Sequence, residues 1–283
     1  MRLGLSTPIV VQVPGVASPW EAGAGPADLV AVAMAADDLG FEFLTCSEHV
    51  AIPADVASAR GDVYWDPLAT LSYLAARTAR IKLVTAVLVL GYHHPLEIAK
   101  RFGTLDMLSA GRLVLGVGIG SLRGEFELLG VQWRDRAARA DDALRALRAS
   151  MSSAQPEYHG AHFSYAGMSV RPHASASRVP IWVGGRTVQS LGRAARLADG
   201  WMPFGLGPAE VEKMLERVET PPDFEVILPS GPIDPATGEG AAVRRLERLR
   251  RAGATAISCT VAARSVEEYI ERLGTLKRLA DTI

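Results

Sequence analysis

Arg112-Leu113-Val114-Leu115-Gly116-Val117-Gly118 is apolar at every position after its first residue, the pattern of a strand buried on both faces of a parallel sheet. A strand with one wet face would alternate with polar residues, and this run does not. Upstream lies a helical pattern that opens at Pro95 and ends near Leu108 before Gly111, a residue suited to closing a helix. Helix, turn and buried strand therefore follow one another directly.

The same unit repeats in both directions. Toward the N-terminus, Ile81 to Leu90 reads as a strand with its continuation, after a helix capped by Asp66 with Pro67 at its first position. Phe41 to Cys46 reads as the strand before that, after a helix from Asp28 to Leu39 that stops at Gly40, and Leu3 to Ser6 as the first. Toward the C-terminus, a helix over Asp135 to Ser150 leads to Pro180-Ile181-Trp182-Val183 and a helix from Thr187 to Leu197. Gly200 to Pro203, Phe224 to Leu228 and Thr255 to Val261 follow, each with a helical segment behind it.

These make eight strands in alternation with helices, the number that closes a (βα)8 TIM barrel, so the expected fold is one α/β barrel domain over residues 1–283. Residues 152–178, with Tyr158, His159-Gly160, Phe163 and Tyr165 at hairpin-like spacing, read as an insertion in a βα loop. An open doubly wound sheet would carry a glycine fingerprint after its first strand, and Ser6 to Gly25 lacks one. Gly231 to Gly240 reads as a loop.

Thirty basic against thirty-one acidic side chains leave a net charge of −1, so no global field draws nucleic acid or an anionic membrane; a small-molecule substrate is expected. No segment has signal-peptide or membrane-spanning character, and the expected location is cytoplasmic. Cys46 and Cys259 lie in apolar strands and read as buried thiols. No histidine falls into a metal-ligand cluster, so no metal is expected.

In a barrel of this kind the chemistry sits just after the strands, which selects the candidate residues. Ser47-Glu48-His49 places a carboxylate and an imidazole at the mouth, where His49 with Glu48 can partner a redox ring or exchange protons with it. Thr85-Ala86 offers small side chains against which a flat ring can lie. Gly118, Gly120, Ser121 and Arg123 follow the fourth strand, and Gly184, Gly185 and Arg186 follow the fifth and lead into a helix. Glycine backbone, a helix N-terminus and a cation together make an anion seat.

Ser47-Glu48-His49, Asp66-Pro67-Leu68, Thr85-Ala86-Val87-Leu88, His94-Pro95, Ser109-Ala110-Gly111-Arg112-Leu113, Gly116-Val117-Gly118 with Glu125-Phe126, Pro180 to Gly185 and Asp199-Gly200-Trp201 occur in an order that resembles the luciferase-like monooxygenase family, in particular its coenzyme F420-dependent oxidoreductases. The resemblance runs from residue 1 to about 203. It implies a deazaflavin ring at the barrel mouth on a third-strand bulge, with a non-proline cis peptide at Thr85-Ala86. It also implies phosphate held by the loops after strands four and five, hydride transfer to or from a small alcohol, carbonyl, imine or activated alkene, and a homodimer. Its alternatives are an FMN-dependent monooxygenase and a non-catalytic flavin-binding protein.

Overall fold

The computed structural model describes residues 1–236 and 238–283 and is a closed barrel. Its strands are β1 (Arg2–Leu5), β2 (Phe43–Cys46), β3 (Lys82–Thr85), β4 (Leu113–Gly118), β5 (Ile181–Gly184), β6 (Gly200–Met202), β7 (Glu225–Ile233) and β8 (Ala256–Val261). Each pairs in parallel with its sequence neighbour. The ring closes where β1 lies on β8, Arg2 opposite Ala256 through Leu5 opposite Cys259.

The helices are α1 (Pro26–Asp38), α2 (Ala54–Arg60), α3 (Pro67–Ala75), α4 (Pro95–Leu108), α5 (Arg123–Leu128), α6 (Arg136–Ser150), α7 (Val188–Leu197), α8 (Pro208–Leu215), α9 (Glu239–Arg251) and α10 (Val266–Ala280). Local chemistry sets several starts: the Asp66 carboxylate accepts the Ala69 N–H at 2.7 Å, and Thr187 accepts that of Ser190 at 3.1 Å. None of them is long and apolar enough to cross a membrane, among the described residues.

The barrel interior is a small core of its own, with Phe43, Val84, Val114, Trp182, Ile227 and Ala256 all buried. Phe43 and Trp182 meet edge to face at 5.4 Å. Gly4 makes room for that layer, since a Cβ there would stand 2.3 Å from the Phe43 ring. At the N-terminal end of the barrel, Arg2 bridges Glu42 at 2.7 Å and Glu225, whose other oxygen accepts the Trp182 indole N–H at 2.8 Å. A larger apolar shell between strands and helices completes the packing.

Three features depart from the sequence reading. The 152–178 segment follows α6 and precedes β5, so it occupies a helix-to-strand connection rather than a βα loop. Its hairpin, Tyr158–His159 against Ser164–Tyr165, is fastened to α6 by Asp142, which accepts the His162 and Phe163 N–H groups and the Tyr158 hydroxyl. Further along, Asp106 of α4 takes the N–H groups of Ser175 and Ala176. β7 runs on to Ile233 through an irregularity between Pro229 and Pro232 and α9 begins at Glu239, so only the middle of the expected 231–240 loop lies outside strand and helix, and Thr237 lies outside the described residues. Finally, α2 and α5 are short helices inside the loops after β2 and β4.

Candidate active site

β3 ends at Thr85, kinks, and resumes as a two-residue strand, Leu88–Val89, that pairs with Val117 and Gly118. The non-proline cis peptide lies at Ala86–Val87, one bond later than expected from Thr85-Ala86. Thr85 is fully buried, its hydroxyl donating to the Gly116 carbonyl at 2.7 Å, so its side chain is not exposed at the mouth. Ser47 holds the kink from the β2 side, donating to the Ala86 carbonyl at 2.6 Å, while the Ala86 N–H donates to the Cys46 carbonyl at 2.8 Å.

The Val87 side chain covers two of the expected ligand-binding glycines. A Cβ on Gly118 would meet Val87 Cγ2 at 2.7 Å, and one on Gly184 would meet Val87 Cγ1 at 2.8 Å. These glycines therefore admit the kinked strand, which corrects the reading of them as bare backbone facing a ligand.

His49 and Glu48, adjacent in sequence, go to different partners. His49 Nδ1 lies 2.8 Å from Oε2 of Glu125, a buried carboxylate on α5 that also accepts the Tyr92 hydroxyl at 2.6 Å and the Val50 N–H at 2.5 Å. Burial alone would raise the Glu125 pKa, but the hydrogen bonds from His49, Tyr92 and Val50 outweigh it and hold the group below the usual carboxylate range. An ionised Glu125 accepts, so Nδ1 carries the proton and Nε2 is the ring nitrogen left for chemistry. The imidazole packs edge-on against Tyr64 at 4.6 Å. Tyr92, in turn, has its phenol pKa pushed up by burial and by the Glu125 carboxylate.

Glu48 does not join His49. Its carboxylate accepts the Val89 N–H at 2.6 Å and faces His93 Nε2 at 2.7 Å, clamping the strand just beyond the kink. Burial would lower the His93 pKa; the hydrogen bond and charge of Glu48 outweigh it and raise it. In this arrangement Glu48 positions the platform, contrary to the expectation that it shares catalysis with its neighbour.

The rim is more selective than the motif suggested. Gly120 has φ +80°, and a Cβ there would stand 2.4 Å from the Phe126 ring, so the turn out of β4 requires glycine. Ser121 is exposed on that turn, and its hydroxyl accepts from Arg60 Nη1 at 3.2 Å, which brings the end of α2 over the loop. Arg123 instead pairs with Glu127 one turn along α5, at 2.8 Å, on an exposed face. Gly185 has φ +141°, and a Cβ there would meet Ser190 at 2.6 Å, so its first duty is the turn into α7. Arg186 remains exposed, its guanidinium 5.9 Å from the centre of the Phe204 ring.

Sequence reasoning missed Glu125, Tyr92, His93 and Arg60. Glu125 and Phe126 had marked the family pattern, but only the fold shows that Glu125 reaches His49. Cys46, near His49 in sequence, is buried with its thiol pKa pushed up to about 12 and its sulfur 3.6 Å from the Trp65 carbonyl, which leaves it no part in the site.

The kinked third strand and the anchored His49 thus stand together at the mouth of a closed parallel α/β barrel. The chain belongs to the luciferase-like monooxygenase family, whose profile matches residues 1–280. It is 30% identical over 202 residues to an uncharacterised protein of Mycobacterium tuberculosis, covering 67% of this chain and 69% of that one. It is likewise 30% identical over 204 residues to the F420-dependent glucose-6-phosphate dehydrogenase of Microbacterium testaceum, covering 69% of this chain and 58% of the dehydrogenase. Among solved structures, monooxygenase RslO1 from Streptomyces bottropensis superposes with a TM-score of 0.77 at 22% identity over 100% of this chain and 99% of that one. An F420-dependent secondary alcohol dehydrogenase in complex with an F420–acetone adduct superposes at 0.77 and 15% identity over 98% of both chains.

Proposed function

We propose that this oxidoreductase uses coenzyme F420 to move a hydride to or from a small organic substrate. The observation that carries the reading is the His49–Glu125 pair beside the kink at Ala86–Val87, with the cations of Arg60 and Arg186 on the surrounding rim. The F420 dependence of the named relatives supports the choice of cofactor.

The residues present fit such a group. Ala86 and Val87, held by Ser47, offer a flat apolar step for a ring, and the exposed Ser121 with half-buried Arg60, and the exposed Arg186 beside Phe204, supply donors and cations for an anionic tail. The cofactor, when bound, supplies the hydride chemistry. His49 would give or take the accompanying proton at Nε2, and Glu125 would balance the imidazolium when that proton is on the ring. Tyr92 holds Glu125 in place, and Glu48 with His93 keeps the far side of the kink from shifting.

A parallel fluorescence titration of the protein with F420 and with FMN tests the reading. Micromolar or tighter binding of F420 is expected; tight binding of FMN alone would instead favour the monooxygenase alternative. Binding of F420 with no turnover across alcohols, enones and imines would favour a non-catalytic carrier.

A further inference from the structure

Helix α9 carries five arginines against two glutamates, in a chain whose net charge is −1. Its buried positions, Ala242, Leu246 and Leu249, recur at helical spacing and seat it on the barrel. Arg244, Arg248 and Arg251 fall on the opposite side of the helix, and all three are exposed. With Ala241 and Arg245 they line an open hollow of about 450 Å³ to which no carboxylate contributes.

Several other arginines of the chain meet carboxylates: Arg2 meets Glu42, Arg148 and Arg178 meet Asp199, and Arg272 of α10 meets Glu268. On α9, by contrast, Arg245 donates to the Ser230 carbonyl, Arg250 to that of Ile283 and Arg251 to that of Glu247. Arg244 and Arg248 make no hydrogen bond or ion pair through their side chains among the described residues.

The helix dipole accounts for only part of this charge. It favours cations in the last turn, which holds Arg248, Arg250 and Arg251, but Arg244 stands further back along the helix. Arg244 and Arg248, one turn apart, repel each other, and an anion placed between them relieves that repulsion. From Arg244 to Arg251 the set covers about 10 Å of helix axis, which suits a short acidic segment better than a long polyanion. No aromatic side chain lines the hollow for base stacking, and Glu239 and Glu247 on the same helix would repel a phosphate chain that continued past it.

We propose that this face of α9 docks an acidic segment of a partner protein, whose aspartate or glutamate carboxylates pair with Arg244, Arg248 and Arg251. Arg245, committed to the Ser230 carbonyl, ties the helix to the end of β7 beneath them. The docking face stands apart from the redox site and does not depend on the choice of cofactor. The probes are a short fluorescein-labelled peptide with glutamate at every third or fourth position and a labelled oligothymidylate of equal length, each titrated with the full-length protein and read by fluorescence anisotropy. The acidic peptide should bind saturably, and replacing Arg244→Ser and Arg248→Ser together should weaken it about fivefold, the worth of two surface ion pairs. Added salt should weaken the parent complex more than that of the double variant. Arg264→Ser removes an exposed arginine from outside the hollow and should bind as the parent does. Absence of saturable peptide binding, equal affinity in the double variant, equal weakening by Arg264→Ser, or tighter binding of the oligothymidylate would each overturn the proposal.

Discussion

His49 Nδ1 and Glu125 Oε2 meet at 2.8 Å across 76 residues of chain, joining the loop after β2 to the helix that follows β4. The contact fixes the imidazole tautomer, and Tyr92 and Val50 fix the carboxylate in turn.

Glu125→Gln keeps the shape but removes the charge that favours a proton on Nδ1. Turnover should fall by at least about tenfold, with F420 affinity changed much less, because the lost group acts on proton transfer and not on cofactor contact. Steady-state rates set beside a binding titration decide it, and a rate within twofold of the parent would remove the pair from the mechanism.

Gly120→Ala should destabilise the fold by about 2–4 kcal/mol, from the left-handed backbone together with the clash on Phe126. Gly130, at φ +67° with nothing within 4 Å of its would-be Cβ, is the control, and alanine there should cost only about 1 kcal/mol. Urea denaturation of both variants gives the comparison; equal losses would refute the packing argument.

The Glu48–His93 pair predicts a pH signature. His93 has a raised folded pKa, so its charged contribution is fully present below the unfolded value of 6.5 and is lost as pH rises through the folded value. The stability gap between the parent and His93→Gln should be largest in mild acid and narrow on the alkaline side. Urea midpoints at a series of pH values would show this, and a gap that widens with pH would reverse the assignment.

We propose that the homodimer implied by the resemblance forms through the neighbouring helices α3 and α4, which carry exposed apolar side chains. Tyr73 of α3 and Met107 and Leu108 at the end of α4 are 40%, 51% and 70% exposed. Leu108→Asp should shift the sedimentation behaviour toward monomer; a parent protein already monomeric at micromolar concentration would dispose of the idea.

The barrel was legible in the sequence because its signals are local. The apolar run of β4, the Asp66-Pro67 helix start and the alternation of strand and helix each depend on residues a few positions apart, and eight such units leave little freedom in how they close. His49 and the loops after β4 and β5 were legible for the same reason, since strand ends mark the mouth. What each candidate does there depends on neighbours supplied by closure of the ring. Only the tertiary structure separated Glu48 from His49, turned Arg123 toward Glu127 and brought Arg60 to Ser121. It also showed Gly118 and Gly184 as room for Val87, because a missing side chain has no meaning in sequence until the atom that takes its space is known.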